Sequence, residues 1–151
     1  MGYPPPTQMI DWDFVVLKED FSRYLVQDGT ILKVKIVVRK ILRTLELNPQ
    51  GYPLTYGIDA MNVVTTIVRP DLRRASSSEP FDPRKDRGEE MKFEVQEEKW
   101  QEYMTFDGYK ILVKPVVLKV IRYNKYNMFG EPIYLASIQQ LTNIEKIATE
   151  R

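Results

Sequence analysis

Two segments of the chain are rich in lysine and arginine and contain no acidic residue. They span 30–45 and 109–126, and aromatic residues accompany the second. Proteins that bind single-stranded nucleic acid hold phosphates with basic side chains and stack bases on aromatic rings. One prediction is therefore a single-stranded nucleic-acid-binding protein that uses the residues Lys35, Lys40, Arg43, Lys114, Lys119, Arg122, Tyr109 and Tyr123.

A structural interpretation of the same pattern stays open. Polar side chains alternate outward along any half-buried strand, and tyrosine is a favourable strand residue. The net charge is only +1, which gives no overall attraction to nucleic acid. We therefore favour the interpretation that the basic segments are solvated strand faces.

The residues that most often catalyse reactions are scarce. The chain has no histidine and no cysteine, which removes the commonest general base and the thiolate nucleophile. Asp28 and Asp107 each precede a glycine, where aspartate favours a tight turn. Six glutamates in 89–102 match no calcium-loop spacing. We predict no enzyme activity, no cofactor and no metal site, with a small carboxylate-based enzyme as the third alternative.

The second basic segment also carries apolar residues where the first carries charges. Lys33 is replaced by Leu112 and Arg39 by Leu118 at the corresponding positions. An exposed apolar face of this kind marks a docking surface unless the monomer itself covers it. The predicted interaction surface comprises Leu112, Val116, Leu118 and Val120.

These replacements can be compared because the chain resembles itself at a spacing of 79 residues. The forty residues from Phe14 to Pro53 contain fifteen that are identical 79 positions later. Such a fixed spacing is typical of a duplicated structural unit. We call two residues 79 positions apart matched, and we expect two repeats within one compact body.

The elements that position these residues are predicted to be strands. Residues 13–17 and 30–44 favour strands. Between them we expect a short helical turn that leads into a further strand, and Asp28-Gly29 marks a hairpin. Because Lys40 and Lys119 fall on otherwise apolar faces, we expect a β-bulge beside each. Pro115 predicts an edge or a bulge. Turns that begin with Asn48 and Asn127 lead into return strands over 54–68 and 133–144.

We therefore predict a mostly β protein in which an internally duplicated antiparallel meander forms a pseudo-two-fold barrel or sandwich. The expected divisions are a Pro-rich tail (1–10), a first repeat (11–69), a charged linker rich in serine and proline (70–90) and a second repeat (91–151). The predicted role is a non-catalytic interaction or assembly module, with a protein partner or self-association, and nucleic acid as the alternative. No membrane segment is expected, and the predicted location is the cytoplasm.

Overall fold

The structure, a computed structural model, describes residues 8–147. These residues form ten strands and one short 3₁₀ helix, and no α-helix is found among them. The strands are β1 (Met9–Asp11), β2 (Phe14–Lys18), β3 (Ser22–Val26), β4 (Ile31–Thr44), β5 (Tyr56–Ile67), β6 (Gly88–Met91), β7 (Phe93–Glu97), β8 (Gln101–Thr105), β9 (Tyr109–Tyr126) and β10 (Pro132–Lys146); the 3₁₀ helix is Pro70–Leu72.

The strands form two separate antiparallel sheets. In the first sheet, β1 and β3 pair with one side of β4 and β5 pairs with the other, and β7 lies beyond β3. In the second sheet, β6 and β8 pair with one side of β9 and β10 pairs with the other, and β2 lies beyond β8. The prediction of a mostly β protein is confirmed. Of the two predicted arrangements, the closed barrel is wrong, because the strands form two separate sheets that each have open edges.

Each half of the chain gives one strand to the other half's sheet. β2 pairs with β8, and β7 pairs with β3. The predicted meander therefore holds only for β3–β4–β5 and for β8–β9–β10. The predicted helical turn before the first hairpin is also wrong: only three residues separate β2 from β3, because the chain crosses there from one sheet to the other.

Buried side chains from both sheets meet in two clusters. Leu32 and Val34 of β4 share one cluster with Val117 and Val120 of β9. The second cluster is built in the same way. Its buried members are Trp12, Ile36, Val38, Ile41, Tyr103, Tyr109, Ile111 and Val113, of which three are aromatic. Burial of these apolar surfaces against each other is the main force that holds the sheets together.

The predicted bulges are confirmed at matched positions. The register between β4 and β5 shifts between Val38 and Lys40, and that between β9 and β10 shifts where Val117 and Lys119 are paired. The additional residues are Arg39 and Leu118. Each bulge turns the next lysine outward and returns the following residues to the core.

The two long turns have the predicted construction. The Asn48 side chain accepts the backbone N–H of Gln50 and of Tyr52, and Asn127 does the same for Phe129 and Glu131. Gly51 and Gly130 have φ angles of 88° and 77°, a region that glycine enters without strain. The predicted tail overlaps β1 at residues 9 and 10, while 1–7 and 148–151 lie outside the described residues.

A gap in strand pairing explains how Pro115 is accommodated. On one side of β9, the pairing with β8 reaches only as far as Val113, and the pairing with β6 starts only at Val120. No strand among the described residues therefore pairs with Pro115 on that side. The matched residue of β4, Ile36, has an N–H, and the buried Gln101 side chain accepts it at 2.8 Å. Proline at 115 needs no such acceptor.

Candidate functional site

The predicted cations Lys35 and Lys114 lie over aromatic rings. The Lys35 Nζ is 4.8 Å from the centre of the Phe21 ring, and the Lys114 Nζ is 5.1 Å from that of Trp100. These distances fall within the range of a cation–π interaction. The two contacts are formed by matched residues, since Phe21 and Trp100 are also 79 positions apart.

Lys40 and Lys119, which follow the bulges, form ion pairs with the strands that flank them. Lys40 lies 2.8 Å from Asp11 of β1, and Lys119 lies 3.5 Å from Glu90 of β6. About half of each lysine side chain is exposed, so each pair contributes little to stability. Both lysines remain accessible to solvent.

Arg43 and Arg122 form ion pairs with the carboxylates of the hairpin turns in the opposite half. Arg122 is 3.0 Å from Asp28, and Arg43 is 3.6 Å from Asp107. The sequence predicted only a turn-forming role for the two aspartates, because it gave no indication of what lies opposite them. All six predicted cations therefore already contact a ring or a carboxylate.

Asp28 is the centre of a network between the two halves. Its carboxylate accepts hydrogen bonds from Tyr134 at 2.5 Å, from Arg122 at 3.0 Å and from the Thr30 N–H at 3.0 Å. Burial opposes ionisation, but these hydrogen bonds hold the pKa of Asp28 below its ordinary value. Burial, followed by the bond to Asp28, raises the pKa of Tyr134 to about 12.

Asp107 has a comparable environment. It accepts hydrogen bonds from Trp12 at 2.8 Å and from Thr105 at 2.6 Å. Burial again opposes ionisation, and these bonds, together with Arg43, hold the pKa of Asp107 below its ordinary value. Both aspartates are thus ionised structural anchors, and a general acid would need a raised pKa instead.

The two predicted stacking residues, Tyr109 and Tyr123, are buried. Only 5% of Tyr109 and 8% of Tyr123 is exposed. The ring of Tyr109 packs edge-on against Trp12, and that of Tyr123 packs against Phe81. Nucleic-acid binding stays a prediction for the six cations, but a base would reach neither tyrosine ring without rearrangement of the core.

The predicted apolar surface is divided by the bulge. Leu118 is 61% exposed, and Leu112 and Val116 are half-buried on the same outer face. Val120 is fully buried in the core, so its inclusion is corrected: the additional residue at the bulge reverses the side to which it points.

The glutamates of 89–102 are distributed over several partners. Glu89 contacts Arg122 of β9, and Glu102 lies between Lys18 and Lys110. Glu98 accepts a hydrogen bond from Tyr24 at 3.1 Å. Among the described residues no group of acidic side chains is arranged to hold a metal ion.

The strands β5 and β10 form free edges of the two sheets. Among residues 8–147, β5 (12 residues) pairs only with β4, and β10 (15 residues) pairs only with β9. Between them they contain three charged residues: Asp59 in β5, and Glu145 and Lys146 at the end of β10. The sequence analysis predicted these strands but did not predict that they lie at the edges of the sheets. Their low content of charged residues was the feature that could have drawn attention to them.

Neither a scan against models of protein families nor searches of curated proteins and of solved structures finds a match to this chain. Within residues 8–147 there is no helix with the length and apolar character needed to cross a membrane.

Proposed function

We propose that the chain is a non-catalytic assembly module whose copies associate through the free edges of β5 and β10. The observation that carries this proposal is that two long strands with almost no charge are hydrogen-bonded on one side only within the part of the chain that the structure describes. An edge strand presents a row of unpaired N–H and C=O groups that can pair with another strand.

The usual protection against such pairing is missing from both strands. Soluble proteins block their edges with lysine, with proline, with a bulge in the edge strand or by making the edge strand short. β5 contains neither lysine nor proline, and in β10 these residues occur only at the ends, as Pro132 and Lys146. The additional residues of the bulges belong to β4 and β9, so the edges themselves remain regular.

A second copy of the chain is the partner that this arrangement favours. The two halves already associate by strand addition, β2 to β8 and β7 to β3. We propose that the chain arose by duplication, which makes β5 and β10 equivalent edges of related units. Each copy then offers two edges of similar length, and β5 of one copy pairs with β10 of the next.

Pairing between two different edges is head-to-tail. Such contacts produce a closed ring when the rotation between copies closes and a filament when it does not. The proposed duplication supports this choice, because it makes β5 and β10 related edges.

Two matched substitutions test the proposal. Asn62 lies opposite Ile36 in β5, Gln140 lies opposite Pro115 in β10, and both side chains are exposed. Asn62→Lys and Gln140→Lys each place a charge on the core-directed side of one edge without replacing a buried residue, and such charges block edge pairing. Leu118→Lys is the control, because it alters the outer face of the second sheet.

The mass of each protein is measured by light scattering over a range of concentrations. We expect the wild type and Leu118→Lys to form multiples of the 17.8 kDa chain, and each edge variant to remain a monomer. An equal mixture of the two edge variants forms a dimer, since one free β5 and one free β10 remain. A wild type that stays monomeric, or assembly that only Leu118→Lys abolishes, contradicts the proposal.

A further inference from the structure

A cleft of about 410 Å³ lies where the segment between the two halves crosses the second sheet. Its base is the end of β9, one wall is the start of β6, and the opposite wall is the chain after the 3₁₀ helix. Three arginines line it, together with apolar and aromatic residues. The lining residues used below are Leu72, Arg74, Arg87, Glu89, Arg122 and Asn124.

The arginines differ in how they are neutralised. Arg122 is held by Asp28 at 3.0 Å and lies 3.8 Å from Glu89. Arg74 donates only to backbone carbonyls, those of Asp71 and Arg73. Within residues 8–147 neither Arg74 nor Arg87 forms an ion pair with a carboxylate. Within the described part of the chain, the guanidinium groups of Arg74 and Arg87 thus have no carboxylate at ion-pair distance, whereas Arg122 lies beside two.

The cleft is built by close backbone contacts. The N–H of Arg74 donates to the carbonyl of Gly130 at 2.9 Å, which fixes the segment against the turn before β10. Gly88 lies so close to Tyr123 that a Cβ atom there would approach the ring to 2.8 Å. The walls are therefore positioned by the backbone, while the side chains of Arg74 and Arg87 are exposed to solvent.

We propose that this cleft binds a small phosphate monoester. A guanidinium group presents parallel N–H donors that fit two phosphate oxygens, and this geometry favours arginine at phosphate sites. A phosphate monoester carries a charge of about −1.5 to −2 at pH 7, and the three arginines exceed the two carboxylates beside them, Asp28 and Glu89, by one positive charge. The apolar part of the ligand lies against Leu72 and the aromatic residues, and the volume is within the usual range for small-molecule clefts.

The matched region of the first half offers no such site. The positions that correspond to Arg87 and Gly88 are occupied by Gln8 and Met9, so one of the two arginines has no counterpart there. The site is therefore specific to the second half and independent of the edge strands. If the cleft binds no phosphate, the assembly proposal is unaffected. If the copies do not assemble through their edges, the proposal for the cleft is unaffected.

Phenyl phosphate and inorganic phosphate are the probes, and binding is followed by calorimetry and by the amide NMR signals of Gly88 and Asn124. Arg87→Ala and Arg74→Ala each remove one uncompensated charge. Arg84→Ala is the matched control, because Arg84 is an exposed arginine of the same segment outside the cleft, paired with Asp82 at 3.4 Å.

We expect one phenyl phosphate to bind per chain, with shifts of the Gly88 and Asn124 signals. Each cleft variant should weaken binding about tenfold or more, as loss of a charge-assisted hydrogen bond does, while Arg84→Ala binds like the wild type. Weaker but saturable binding of inorganic phosphate at the same signals also supports the site. Absence of saturable binding at millimolar phenyl phosphate, or equal weakening by Arg84→Ala, overturns the proposal.

Discussion

Asp28 and Asp107 show how single residues join the two halves of this protein. Each lies in the hairpin turn of one half and forms an ion pair with an arginine of the other half, Asp28 with Arg122 and Asp107 with Arg43. A turn that required only local geometry would also accept other turn-forming residues. The ionised carboxylate is what links the turn to the opposite half, so its charge contributes to stability.

The Asp28→Asn variant is predicted to be less stable at pH 7 by about 1.5–3 kcal/mol, the usual contribution of a hydrogen bond to a charged group. Because the pKa of Asp28 is lowered in the folded state, its contribution is present above the unfolded pKa of about 3.9 and is lost as the pH falls below it. The difference between variant and wild type should therefore shrink toward pH 3.

Urea unfolding at several pH values measures this difference. Asp20→Asn is the control, because Asp20 is exposed and forms no ion pair within residues 8–147. A difference between wild type and Asp28→Asn that is the same at pH 7 and pH 3 would contradict an ionic role for Asp28.

The sequence indicated which residues recur but not which residues they contact. Matched lysines, arginines and aspartates were visible as a pattern, and a solvated strand or a nucleic-acid site explained them equally well. Their partners depend on how the two halves pack, and residues such as Asp28 and Arg122 are 94 positions apart. Local spacing carries no information on contacts of that separation.

At the scale of the elements, the exchange of β2 and β7 is the main feature. Hydrogen bonds between β2 and β8 and between β7 and β3 make each sheet a product of both halves. The two halves should therefore not behave as independent domains, even when the chain that joins them is broken.

A protease site inserted between Ser78 and Glu79 provides a test. Both residues are exposed, so cleavage there is expected to leave the sheets intact. After cleavage, the two fragments should elute together under native conditions and separate only in denaturant. A matched protein with the same insertion left uncleaved is the control, and separation of the fragments in native buffer would contradict the role of the exchanged strands.

The strands themselves were largely predictable, whereas the exchange was not. The dense β-branched segment 30–44, the Asp-Gly hairpin and the Asn-initiated turns have local signatures, and the structure contains all of them. β2 and β3 read equally well as neighbours in one sheet. They belong to different sheets because the three residues between them cross from one sheet to the other. A connection as short as this has no distinctive composition.

For the whole molecule, β5 and β10 remain outer strands, because the exchanged strands β7 and β2 pair with β3 and β8 at the other side of each sheet. The core is shared between the halves, yet both long edges have no partner strand among the described residues 8–147. The prediction of an assembly module was based on an apolar face that included Val120. That residue is buried in the core. The edges now provide the stronger basis for the same proposal, and the exposed Leu118 remains the competing surface.

Hydrogen–deuterium exchange of the wild-type protein at low and high concentration tests the central proposal most directly, because it reports protection along each strand. We predict that amides of β5 and β10 exchange more slowly at the higher concentration, since pairing between copies protects their free N–H groups, while β3 and β8 are unchanged. Protection that appears around Leu112, Val116 and Leu118 instead, or no change with concentration anywhere, would contradict assembly through the strand edges.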